Sequence, residues 1–140
     1  MAGASAIQEV IDNTEWVSQS GNPVAYAPYI RRSPLATRPT PVIIQFAKGD
    51  ETVPNPTATA IIRAGDLKDR TSYFRNDLWA PGLNPHTFLT FGVGVLPALD
   101  AQAQMAAFLA SDGTTTIDPD GPGPLFEVPI NGALPETLNF

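Results

Sequence analysis

With 140 residues, 43% of them hydrophobic, the chain is long enough for one domain and too apolar for wholesale disorder. Eight basic residues against fourteen acidic ones leave a net charge of −6, with no cationic cluster longer than Arg31-Arg32, which argues against nucleic acid as a partner. The absence of cysteine excludes disulfides and thiolate metal sites, and no apolar run approaches the roughly 18 residues needed for a membrane span. Residues 1–10 show no basic and apolar leader pattern, so a soluble chain without a visible signal peptide is expected, with its compartment left open.

Residues 5–17 read as an amphipathic helix. Ser5 and Gln8 fit a capping box, and Ile7, Val10, Ile11, Thr14 and Val17 recur at helical spacing. Gly21, Asn22 and Pro23 end it, which sets off residues 1–21 as an N-terminal helical segment. Residues 22–41 are punctuated by proline and read as an ordered connector. Fifteen prolines in all, about twice the average share, predict many rigid, extended connections.

Val42 to Ala47 is a near-continuous apolar run rich in β-branched residues, the pattern of a strand buried on both faces in a parallel sheet. It breaks at Lys48-Gly49-Asp50. Asn55 then offers an N-cap with Pro56 at the first helical position, and Ala58, Ile61 and Ile62 share one face of a helix ending near Gly65. A second strand is expected over Thr71 to Arg75, where Thr, Tyr and Phe favour extended backbone.

Between Asn76 and Pro97 lies a long loop holding the single histidine, His86. A helix over about Leu99 to Ser111 follows, with Ala101, Met105, Phe108 and Leu109 expected on its buried side and Gly113 as its stop. The core part of the chain thus spans 22–113. Residues 114–140 form a Pro/Gly-rich tail, in which 125–130 suit an edge strand because proline is tolerated there.

Asp50 directly follows the carboxyl end of a strand, where open α/β sheets place their ligand sites, and His86 lies after the next strand, in a loop expected at the same edge of the sheet. The order strand, Asp, helix, strand, His, helix resembles the end of an α/β-hydrolase domain, in which nucleophile, acid and histidine run along the chain in that order. Gln45-Phe46-Ala47-Lys48-Gly49-Asp50-Glu51-Thr52-Val53-Pro54 looks like the acid turn of that family, and Asn84-Pro85-His86-Thr87-Phe88 looks like its histidine loop. Asn22 to Tyr29 is similar to the stretch preceding the acid-bearing strand.

The resemblance covers roughly residues 20–112. It implies an α/β chain with a partial α/β-hydrolase-like fold: a small parallel sheet, flanking helices and a proline-rich tail. Asp50 would orient His86, whose other nitrogen would serve a serine.

The departure from the family is the nucleophile. No Gly-x-Ser-x-Gly occurs, and none of Ser5, Ser18, Ser20, Ser33, Ser72 and Ser111 lies on a glycine-flanked turn after a strand. The resemblance therefore implies the C-terminal fragment of a serine ester hydrolase, esterase- or lipase-like, inactive alone. Its partner would be an N-terminal hydrolase segment that brings the serine. No cofactor and no metal are implied.

The alternative is a non-enzymatic binding or oligomerising module on the same scaffold. A self-sufficient Asp–His pair working on water is a third, weaker candidate. Too few strands to close the sheet leave an open edge, so a homo-oligomer or a paired chain is expected. Asp77 and Asp69 are rival acids for His86. Asp118-Pro119-Asp120-Gly121 mimics a calcium loop but lacks the later ligands. Trp16, Trp79 and Phe88 suit either an acyl pocket or plain packing.

Overall fold

The computed structural model describes residues 3–35 and 38–138. Six α-helices are present there: α1 (Ala4–Ser18), α2 (Pro23–Tyr26), α3 (Pro28–Arg31), α4 (Asn55–Gly65), α5 (Asn76–Trp79) and α6 (Val95–Ala110). They surround three short strands, β1 (Ile44–Ala47), β2 (Thr71–Phe74) and β3 (Phe126–Glu127), which lie side by side in that order.

The apolar run and the helix after it form a β1–α4–β2 unit, and the two strands are parallel, with Ile44 opposite Thr71 and Ala47 opposite Phe74. A parallel neighbour needs such a helical crossover. The expected all-parallel sheet is nevertheless corrected to a mixed one. The tail returns on the far side of β2 in the opposite direction, with Tyr73 opposite Glu127 and Phe74 opposite Phe126. Helices and a small mixed sheet make this an α/β chain in the broad sense.

Alternation along the strands splits the core in two. On one face Phe46 and Tyr73, with ring centroids 4.8 Å apart, pack with Ile62 and Leu67. On the other, Phe74 lies 5.2 Å from Phe88 and 5.3 Å from Phe126, above Ala47, Val93 and Ala101. Phe126 and Ile130 are buried, so the tail completes both faces.

Three local expectations are corrected. Asn55 is the first helical residue rather than the cap, and its buried side chain donates to the Ala47 carbonyl at 2.7 Å, tying the start of α4 to the end of β1. Helix α6 begins at Val95, because Pro97 sits in the first turn, where a missing N–H costs no hydrogen bond. Its buried face carries Gln104, while Leu109 is exposed. Gln45 donates to Gln104 Oε1 at 2.8 Å, and Gln104 donates to the Ile117 carbonyl at 2.6 Å, a polar ladder joining β1, α6 and the tail.

Gly113 ends α6 as expected. Its φ of 74° and a Pro41 Cβ at 2.2 Å from where its own Cβ would stand require glycine there.

Helix α1 forms where periodicity placed it, but no residue of it is buried. Ile7, Val10, Ile11 and Val17 are each more than half exposed. The capping box is also corrected: Gly3 is the N-cap, without a side-chain bond, and Ser5 lies inside the helix.

In the tail, Asp120 accepts hydrogen bonds from Leu125 N–H (2.8 Å) and Phe126 N–H (3.2 Å), closing the turn into β3. Burial, then the hydrogen bond to Asp120, push the Asp118 carboxyl up to about 6. A folded value raised above the unfolded one, about 3.9, stabilises the fold at low pH, and that stabilisation is lost as pH rises through about 6. Asp118→Asn keeps a donor and removes the charge. Its Tm by circular dichroism should match the parent near pH 4 and exceed it at neutral pH; an equal offset at both would refute the assignment.

Candidate functional site

The loop after β1 is built to aim a carboxylate. Lys48 N–H still reaches the Phe74 carbonyl at 2.9 Å, and Gly49, at a φ of 80°, then swings the chain back over the strand ends. Asp50 Oδ1 accepts the backbone N–H of Thr52 and of Val53, both at 2.8 Å. This local turn locks the carboxylate and leaves Oδ2 for another donor.

His86 provides it, with Nδ1 at 3.1 Å from Oδ2. The two residues picked out in the sequence are therefore brought together. The Asp50 side chain is only 13% exposed, whereas the imidazole is 42% exposed.

Asn84 holds the two loops in register. Its Oδ1 accepts from Glu51 N–H and His86 N–H, each at 3.2 Å, and its Nδ2 donates to Thr52 Oγ1 at 3.1 Å. An Asn just before Pro and two residues before the histidine is the sequence signal for this role, since such residues cap short helical turns. The 3-10 stretch Pro85–Thr90 that carries His86 is anchored by buried Phe88.

With Nδ1 bound to the carboxylate, Nε2 has no partner among the described residues. The imidazole borders an open groove of about 280 Å³ walled by Ile44, Phe46, Val53, Ile61 and Leu89. One wall is β1 itself, which pairs with β2 on one side only. Such a pair can take a proton from a hydroxyl at Nε2 while Asp50 stabilises the resulting cation.

None of the chain's serines supplies that hydroxyl, since none hydrogen-bonds to His86. Ser5, Ser18 and Ser20 belong to α1 and the turn after it, Ser33 follows α3, and Ser111 ends α6. Ser72 is buried within β2, its Oγ unpartnered.

The rival acids are engaged elsewhere. Asp69 pairs with Arg31 and Arg70. Asp77 meets Lys48 at 3.1 Å and Arg75 at 2.9 Å, and Arg75 also reaches Glu127 at 2.9 Å. The Arg75 hydrogen bond, then Lys48, hold the Asp77 carboxyl down to about 2, so Asp77 is charged at neutral pH. It ties the ends of β1, β2 and β3 beside the dyad. Sequence reading missed it, because only the fold gathers residues 48, 75, 77 and 127.

Trp16, on α1, lines no part of the groove, and the Trp79 indole N–H donates to the Val93 carbonyl at 2.7 Å; of the three aromatic candidates only Phe88 borders the groove. Among the described residues, no cluster of three or more His, Asp or Glu side chains suited to a metal ion occurs. No helix there is long and apolar enough to cross a membrane.

Comparison with known protein families, curated proteins and solved structures yields no match to this chain.

Proposed function

We propose that this chain is the C-terminal part of a serine ester hydrolase of the α/β-hydrolase type, contributing the acid Asp50 and the base His86 to a serine carried by an N-terminal companion segment. One observation carries the reading: the Asp50–His86 hydrogen bond at the carboxyl ends of two parallel strands, with the second imidazole nitrogen open to an apolar groove.

In the proposed reaction the serine hydroxyl attacks the ester carbonyl while Nε2 of His86 takes its proton. The proton then passes to the departing alkoxide, and a water repeats the cycle on the acyl-enzyme. Asp50 keeps Nδ1 protonated and offsets the charge of the imidazolium. Asn84 keeps the two loops at bonding distance.

The alternative, a module without catalysis, has no need of a locked carboxylate against an exposed imidazole. The test uses a short-chain nitrophenyl ester. The chain alone should release no burst of nitrophenol, and the chain joined to its upstream segment should. Turnover by the isolated chain at the rate of the joined one would overturn the proposal, as would an inactive joined chain that folds.

A further inference from the structure

We propose that the open edge of β1 is a docking slot for an extended strand of the companion segment, which adds itself to the sheet beside β1. The inference rests on the reading of this chain as one part of a larger hydrolase, and deepens it by naming where the missing part attaches. In a parallel pair the N–H and C=O of one residue point to the same side, and that side alternates along the strand. Lys48 N–H bonds to the Phe74 carbonyl, so Phe46 and Lys48 face β2, whereas Gln45 and Ala47 turn their backbone groups outward. The Ala47 carbonyl is met by the Asn55 side chain at 2.7 Å. The Gln45 N–H and C=O and the Ala47 N–H have no partner among the described residues.

Ala47 is only 1% exposed, and a buried backbone donor left unpaired is costly. A second backbone alongside removes that cost. The walls fit the same occupant. The groove of about 280 Å³ at this edge is lined by Val53, Ala58 and Ile61 from the α4 side and by Phe88 and Leu89 from the stretch before α6. A polar backbone floor between apolar walls suits a strand, whose side chains alternate between two faces while its backbone bonds to β1. An acyl chain alone would cover the Gln45 and Ala47 N–H groups without meeting them.

The edge carries none of the devices that blunt a free strand. Val42 to Ala47 contains no charge and no proline. The opposite edge, β3, is two residues long, holds Glu127 in an ion pair with Arg75 and is followed by Pro129. A second copy is the poorer occupant. Each chain carries a net charge of −6, and the strand that a copy could offer, β1, brings no serine within residues 40–54. The companion segment supplies both what the edge lacks and what His86 lacks.

The test is backbone amide exchange, followed by NMR, on the chain alone and on the chain joined to its upstream segment. The Gln45 and Ala47 amides should exchange at least about a hundredfold more slowly in the joined chain. Gln45→Pro deletes one outward donor, whereas Gln45→Ala loses the same side-chain bonds to Ala101 and Gln104 and keeps that donor. In the joined chain Gln45→Pro should return the Ala47 amide to the rate of the chain alone, and Gln45→Ala should not. The wild-type comparison stands even where Gln45→Pro does not fold. Equal exchange in the two forms overturns the proposal. So does protection in the chain alone that rises with concentration, the outcome expected of β1 meeting β1. A joined chain that hydrolyses the nitrophenyl ester with both amides unprotected overturns the docking and leaves the proposed reaction standing; protected amides in a folded joined chain without activity do the reverse.

Discussion

If the proposed function holds, Asp50→Asn in the joined, serine-bearing chain is expected to lower kcat about 10⁴-fold with little change in KM, because the amide cannot hold Nδ1–H toward itself and leaves the imidazole in the wrong tautomer. The side chain is nearly isosteric, and the Thr52 and Val53 N–H groups still have an oxygen to meet. The loss should therefore be chemical rather than structural. His86→Ala should bring activity to a similar residual level, and the double variant should be no worse than the worse single, as for residues that act as a unit. Steady-state hydrolysis of a nitrophenyl ester reads all three. A loss smaller than tenfold for Asp50→Asn, with folding intact, would remove Asp50 from the proposed team.

The second large effect concerns the fold. Phe74 is fully buried at the last position of β2, between the rings of Phe88 and Phe126. Phe74→Ala is expected to cost about 4 kcal/mol, the sum of lost transfer energy and an unfilled cavity, and to lower Tm by about 10 °C or more. Phe91→Ala, at an exposed position, should stay within about 0.5 kcal/mol. Because Phe88 holds the stretch that carries His86, the Phe74 variant of the joined enzyme should also lose activity at temperatures well below its own unfolding. Thermal melts alongside activity at fixed temperature check this. Equal stability of the two variants would contradict the assignment of this core.

The legible parts of the molecule are those governed by local rules. The apolar run ending at Ala47, the loop at Gly49-Asp50 and the helix down to Gly65 were readable because periodicity, β-branching and glycine act over a few residues. The approach of Asp50 to His86 was readable one step further. Two parallel strands joined by a helix put their carboxyl ends at one rim, so the turn after β1 and the longer stretch after β2 that carries His86 start from the same edge. Asn84 was visible as part of a motif, but its three bonds were not, since an amide declares its partners only when two loops are already adjacent.

The errors have one origin as well. Helix α1 was read correctly as an amphipathic helix, but its full exposure was not legible, because an apolar stripe reports a preference for a partner without saying where that partner is. Leu109 and Gln104 exchanged places for a related reason: a Gln with matched donors and acceptors in Gln45 and Ile117 is buried at no loss. The sheet turned out mixed, because the tail's direction depends on where α6 ends and on the pairing of Arg75 N–H with the Leu125 carbonyl at 2.8 Å.

What this chain determined by its sequence alone was a partial inventory: the strand segments, the three long helices α1, α4 and α6, a carboxylate just past the first strand, an imidazole in the stretch after the second, and no serine on a nucleophile turn. These follow from side-chain periodicity and backbone preference, which are properties of short segments. The first strand, expected buried on both faces, is instead the half-exposed edge of the sheet, and α2, α3 and α5 were not foreseen. What only the tertiary structure decided was the set of distances: 3.1 Å from Asp50 to His86, the withdrawal of Asp77 and Asp69 into other ion pairs, and the exposure of α1. Those depend on contacts between residues far apart in the chain, whose energies no local pattern contains.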